Sequence, residues 1–353
     1  MLKILYAAIK YDYGDPERGF GFEHYNFYDS LKKMNNGANV IVYFPFDEIA
    51  LKLGRDRMNQ LLLETALREK PDLCFFCLFG EELKKEIIKE ITKKSGAITL
   101  NWFTDDHWRF DNFSKYWAFC FNWIATTDSN APEKYLKTGY KNAIKTQWAC
   151  NHFLYKPFSS EKKYDASFVG QPHGNRKKII NRIRKSGINI NCRGRGWENG
   201  RISQEEMIKI FSQSKINLNL TKGSGVSFIK SIARIFLKKN NKSIKIENPF
   251  LWVDNLKSLL GKNREQIKGR NFEIPGCGGF LITGKADNLQ DYYISGKEIV
   301  IYKDEQDLIK KIKYYLEYSK EREIIAGAGL ERTLRDHTYE KRFNNIFKII
   351  GLI

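Results

Sequence analysis

Glu265 and Glu273 lie eight residues apart, with Lys268 and Arg270 between them. A helix turns 100° per residue, so eight residues make a little over two turns. If the segment is helical throughout, both carboxylates face nearly one side, about 12 Å apart along the axis. Such a pair could hold the two ends of an elongated ligand; the spacing equally fits a surface helix of mixed charge. Pro275, Gly276, Gly278 and Gly279 break the pattern where the helix hands over to the apolar run Gly279-Phe-Leu-Ile-Thr283, read as a buried strand. A second group, Asp105-Asp106-His107, follows the apolar run 97–103. It could form a metal cluster or supply a general base, or it could cap a helix through local hydrogen bonds. His24 is a further candidate base. Arg176 opens a strongly basic helix, and a helix N-terminus beside an arginine suits an anion, whereas the lysines that follow also read as a solvated face. Lys222 lies in Thr221-Lys-Gly-Ser-Gly225, a loop after a strand. It is not the phosphate loop G-x4-G-K-[ST], so ATP hydrolysis has no support. Gly19-x-Gly21 lacks the third glycine of a dinucleotide site.

The elements that must carry these groups alternate. Apolar runs at 2–9, 40–44, 73–79, 97–103, 124–127 and 146–150 are separated by segments read as helices at 23–34, 57–68, 81–94 and 131–138, the last capped by Ser129. That alternation predicts a parallel α/β sheet. Residues 151–164, with Pro157 and the run Glu161-Lys-Lys163, read as a linker. A second α/β unit follows, with strands at 166–169, 188–192, 216–220, 279–283 and 298–302. Its helices are expected at 176 onward, 204–212, 287–293, 306–318 and 321–335, before a last helix at 339–350. Residues 226–262 interrupt this pattern. Phe228, Ile229, Ile232, Ile235 and Phe236 recur at helical spacing among lysines, as in a basic amphipathic helix that docks on a membrane surface or an insertion that packs on its own domain or a partner subunit.

The 353 residues suffice for two cores. Sixty Lys and Arg against 41 Asp and Glu give a net charge of +19, a field that attracts nucleic acid, anionic membrane or phosphorylated small molecules. Cys74 and Cys77 form a C-x2-C within an apolar strand and lack a second pair for zinc, so they read as core. No leader and no run of eighteen apolar residues is visible, which predicts a cytoplasmic chain, peripheral to the inner face of the cell membrane if 226–262 docks there.

Glu265-x7-Glu273, its glycine-rich break and the apolar strand resemble the nucleotide-sugar site of group 1 glycosyltransferases of the GT-B fold. Lys297-Glu-Ile-Val-Ile-Tyr302, Glu321-Arg-Glu323 and Arg332-x4-His337-Thr338-Tyr339-x2-Arg342 resemble the C-terminal domain of the CgeB-type, spore-maturation branch. Ser167-Phe-Val-Gly170 and Gly194-Arg-Gly-Trp197 resemble its opening. The resemblance covers residues 165–348 well and the first 150 loosely. It implies two Rossmann-like domains facing across a cleft: an acceptor-side domain 1–155, a nucleotide-sugar domain 156–338 and a helix 339–353 returning to the first. It further implies a glycosyltransferase using a nucleoside-diphosphate sugar, with a glycan, lipid-linked or protein acceptor, no metal and no other cofactor. Arg176, Lys222 and Arg270 would neutralise the diphosphate, in the loop region opened by Gly170. Glu273 would accept hydrogen bonds from ribose hydroxyls and Glu265 from the donor sugar, although the first glutamate is not constant in the CgeB-type branch. Gly278 and Gly279 would let backbone amides approach the ligand. The acceptor side would supply a base from Asp105, Asp106, His107 or His24 if the reaction inverts; the paired glutamates lean toward retention. The alternative is a non-catalytic protein of this fold that holds an anionic polymer or nucleic acid by charge. No nucleic-acid-reading motif supports it, and no nucleic acid is expected as a partner.

Overall fold

Strands buried on both faces read as continuous apolar runs, and Leu-Cys-Phe-Phe-Cys at 73–77 is buried at every position. The computed structural model describes residues 1–221, 232–233, 235–240, 243–262 and 264–353. The chain divides into two units, Met1–Gln147 with Tyr339–Ile353, and Trp148–Thr338.

The first unit is a six-stranded parallel sheet. Its strands are β1 (Lys3–Ala8), β2 (Val40–Pro45), β3 (Leu73–Cys77), β4 (Ile98–Phe103), β5 (Trp123–Thr126) and β6 (Ala143–Lys145), in the order β2-β1-β3-β4-β5-β6. Helix Phe46–Glu69 covers it, bent at Gly54, whose φ of 79° no ordinary helical residue adopts. The C-terminal helix Tyr339–Ile349 packs Phe343 against Phe27, Phe75 and Trp102 of the same unit.

Three local expectations change. The last strand is 143–145, not 146–150, because β5 hydrogen-bonds to the chain immediately after the helix. That helix, Ala131–Lys137, starts from Asn130 without a side-chain cap, so Ser129 is not its cap. The helix read at 23–34 contains a π turn, His24–Tyr28, before Asp29–Lys33.

Among the described residues the second unit holds five parallel strands, β7 (Tyr164–Val169), β8 (Ile190–Arg193), β9 (Ser214–Asn219), β12 (Leu281–Gly284) and β13 (Val300–Tyr302), in the order β13-β12-β9-β7-β8. Between β9 and β12 stands a separate antiparallel hairpin, β10 (Leu237–Asn240) and β11 (Ser243–Ile246), followed by helix Trp252–Gly261. The amphipathic helix expected around Phe228–Phe236 falls largely outside the described residues, and the part from 237 is strand. Residues 287–293 form only a 3-10 turn, Leu289–Asp291. Residues 148–155 join the second unit rather than the first: Cys150 N donates to His337 O at 2.9 Å, and Tyr155 is buried in that unit's core. All six cysteines are free and buried, as Cys74 and Cys77 were expected to be.

Candidate functional site

An open parallel sheet binds ligands outside the carboxyl ends of its strands, where chain order reverses. In the C-terminal unit the reversal lies between β7 and β9. From β7 the chain goes to β8 on one side, then returns to β9, β12 and β13 on the other. Two arginines bond to backbone carbonyls there. Arg176 opens helix Arg176–Lys185 and ties the loops after β7 and β9 together. Its Nη1 donates to Gln171 O at 2.9 Å, and its Nε and Nη2 donate to Leu220 O at 3.2 and 2.8 Å. These acceptors are neutral carbonyls, so the positive charge is not cancelled. Burial pulls the guanidinium below its ordinary pKa, opposed by Tyr302, but arginine remains charged at any physiological pH.

Arg270 opens helix Arg270–Gly276, which precedes β12 and so starts at the carboxyl edge of the sheet. Its Nε donates to Val169 O, at the end of β7, at 3.4 Å. It is braced from within. Glu273, fully buried one turn later, accepts from Arg270 Nη1 with one oxygen and from Tyr155 OH at 2.9 Å with the other. Gln204 Nε2 donates to Tyr155 OH at 2.6 Å. Gln204 is placed by a reciprocal cap, in which Ser203 Oγ accepts from Glu206 N at 3.1 Å and Glu206 accepts from Ser203 N at 2.9 Å. Burial works against the Arg270 charge; Glu273, with Tyr155 and Cys277, outweighs it, and the pKa rises above its ordinary value.

This geometry changes several expectations. Glu265 and Glu273 do not share a helix: residues 265–268 are irregular and the helix begins at Arg270. Glu273 has no exposed side-chain surface and both its oxygens are engaged, so it stands behind Arg270 instead of facing a ribose. Glu265 is half-buried, and both it and Arg176 act on the Tyr302 phenol, which burial above all takes up to about 12. Pro275 and Gly276 lie inside the helix. Gly278 and Gly279 lie in the turn that enters β12, at the amino edge of the sheet and away from the reversal point. A Cβ at Gly279 would meet Asn217 Nδ2 at 2.8 Å, so close packing demands this glycine. Gly170 is also occupied by its own unit: its N donates to Arg193 O at 2.9 Å and its O accepts from Trp197 Nε1 at 2.8 Å. Lys222 lies outside the described residues.

In the N-terminal unit the reversal falls between β1 and β3. Asp106 does not face that edge. It is fully buried and accepts from Tyr135 OH at 2.9 Å, and burial raises its pKa to about 6 despite hydrogen bonds from Ser114 and Thr126. His107 is buried as well, and Asp105 is half-buried. Among the described residues no three His, Cys, Asp or Glu side chains are grouped to hold a metal ion, these three included. His24 is half-buried with Nδ1 3.4 Å from Tyr43 OH, and burial lowers its pKa. Glu23, next to it, was missed. Burial pushes its carboxyl up to about 7, with Asp12, Asp47 and Asp105 adding repulsion. Only its place after a long glycine-bearing loop could have drawn attention to it. Tyr155 and Gln204 carried no sequence signal, because their role depends on contacts across 118 and 49 positions.

A segment holding both arginines, from Arg176 to Lys348, matches a family described as Glycosyl transferase-like. The matched segment makes up just under half of the chain. The chain is also 22% identical over 220 residues to spore protein CgeB of Bacillus subtilis (strain 168), an alignment covering 62% of this chain and 64% of that protein, so it spans less than two thirds of that relative. Among solved structures, Anabaena HepE in complex with UDP-glucose is similar over 100% of both chains, with a TM-score of 0.62 at 11% identity. Sucrose-phosphate synthase from Thermosynechococcus elongatus gives 0.61 at 9% identity over 99% of this chain and 98% of that one. A glycosyltransferase from Rickettsia africae gives 0.58 at 10% identity with the same coverage. Identities this low speak to the fold alone, and that fold is GT-B, built from two Rossmann-like units. The glycosyl transferase-like segment begins at Arg176, just past β7 and its loop, so Val169 and Gln171, which accept from the two arginines, lie before it.

Proposed function

We propose that this protein is a glycosyltransferase that moves a sugar from a nucleoside diphosphate to a hydroxyl group of a glycan, lipid-linked or protein acceptor. The observation that carries the reading is the pair Arg176 and Arg270 at the reversal point of a glycosyl transferase-like segment. As the bond from the anomeric carbon to the diphosphate oxygen breaks, negative charge grows on the leaving diphosphate. Fixed cations aimed there stabilise the transition state more than the ground state. Arg176, whose hydrogen bonds leave its charge uncancelled, and Arg270, braced by Glu273 and Tyr155, supply those cations without a metal. Glu273 acts as a positioning residue.

The acceptor hydroxyl must lose its proton as its oxygen bonds to the anomeric carbon. Glu23, with a carboxyl pKa of about 7, is matched to that work at neutral pH and favours an inverting transfer. The retaining outcome leaned on Glu265 and Glu273 as a pair, and Glu273 is taken up by Arg270 and Tyr155 instead. The stereochemistry is read directly as the anomer of the first product by NMR.

Thermal unfolding with UDP, GDP, ADP, CMP and TDP, with and without EDTA, tests the reading. A ligand at about 100 times its Kd adds about 2.7 kcal/mol, a rise of several degrees. One nucleotide should stand out, unaffected by EDTA, and Arg270→Ala should abolish its effect. No shift with any nucleotide, or an undiminished shift in Arg270→Ala, overturns the assignment.

A further inference from the structure

Helix Trp252–Gly261 is inside out. Its buried positions are polar: Asp254 and Ser258 are 8% and 4% exposed. Its outward positions are apolar: Val253, Leu256 and Leu260 are 61%, 47% and 70% exposed. At 100° per residue these three fall within about 60° of arc, while Asp254 and Ser258 lie about 100° and 140° from Val253. Phe250 and Ile246, just before the helix, are 90% and 77% exposed. The inversion is held in place. Trp252 Nε1 donates to Glu247 O at 3.1 Å, its ring meets Phe236 edge-on at 5.0 Å, and Asn255 Nδ2 donates to Ile235 O at 3.2 Å. A surface helix of a globular domain turns the other way, with its apolar stripe inward. This stripe therefore has its partner outside the unit.

Charge selects that partner. The chain carries a net charge of +19. Lys257 is exposed beside the stripe, about 40° from Val253 on the helix. A second copy of the chain would bring the same cations and its own +19 to the contact, and like charges repel. A nucleic acid would answer the charge but leave the apolar side chains in water. An anionic lipid surface answers both, with Lys257 at the headgroups and Phe250, Val253, Leu256 and Leu260 among the acyl chains. No described helix is long and apolar enough to cross a membrane, so contact here would be peripheral.

We propose that the face formed by Ile246, Phe250, Val253, Leu256 and Leu260 docks on an anionic bilayer. The proposal stands apart from the transfer reaction, since its readout is lipid binding alone. The full chain is sedimented with vesicles of phosphatidylcholine, or of phosphatidylcholine with phosphatidylglycerol, at low and high salt. Wild-type protein should bind the anionic vesicles, less at high salt. Val253→Ser, Leu256→Ser and Leu260→Ser together should weaken binding by at least about tenfold. Lys257→Glu should weaken it at low salt. These side chains are exposed, so the variants should keep the wild-type unfolding midpoint, checked in parallel. Absence of binding, equal binding to neutral vesicles, or full binding by the triple variant overturns the proposal. So does a concentration-dependent dimer in light scattering that the triple variant abolishes, which would make a second copy the occupant.

Discussion

Two carboxyls show how burial sets chemistry at single residues. Glu23 and Asp106 both titrate well above their ordinary values because the fold removes them from water, yet they differ in neighbours. Asp106 is tied to Tyr135, Ser114 and Thr126 inside the first unit and is structural. Glu23 sits at the carboxyl edge among Asp12, Asp47 and Asp105. Its folded pKa of about 7 exceeds the ordinary 4.5, so the fold favours the protonated form. Its contribution to stability is present below pH 4.5 and is lost as pH rises through 7. Glu23→Gln cannot ionise. Its unfolding free energy relative to wild type should therefore rise between pH 5 and pH 8, by up to about 3 kcal/mol. Denaturant unfolding at the two pH values measures this, and a flat difference would show that Glu23 is not perturbed. If Glu23 also serves as base, the same variant loses kcat and the acid limb of its pH profile while nucleotide binding survives.

Among elements, the short helix Arg270–Gly276 depends on contacts at both ends. Its first residue reaches the end of β7, and its last lies so close to residues 148–155 that a Cβ at Gly276 would overlap Cys150 Sγ. That neighbouring segment also carries Tyr155, the second partner of Glu273. Gly276→Ala should thus push the helix away from this segment, costing about 1–3 kcal/mol and loosening Arg270. A lower unfolding midpoint together with weaker nucleotide stabilisation is expected. An unchanged midpoint would mean that the contact relaxes freely.

For the whole molecule, the last helix closes the first unit although it follows the second in sequence. Tyr339, Phe343, Ile346 and Phe347 are fully buried, and Phe343 touches rings from three separate parts of that unit. Phe343→Ala should cost about 3–5 kcal/mol, with the loss confined to unit 1. Limited proteolysis should cut first within residues 1–147 while 148–338 persists; simultaneous cutting of both would show that the units unfold together. The two sheets were largely legible in the sequence, because parallel strands covered on both faces leave apolar runs and the helices between them leave charged, periodic ones, whereas the return of the last helix was implied by the resemblance alone. Arg176 could be named for a related reason, because a residue that opens a helix after such a strand lies at the ligand-binding edge, whereas Arg270 was named through the resemblance. What the neighbours of the two arginines do was not legible. Glu273 as a brace, Gly279 as a packing glycine, Glu23 as a perturbed carboxyl and the outward stripe of helix Trp252–Gly261 all depend on side-chain direction and on partners far along the chain. Local spacing determined which segments become strand or helix; burial, and the low dielectric it brings, decided which charges pair, which shift and which apolar faces remain outside.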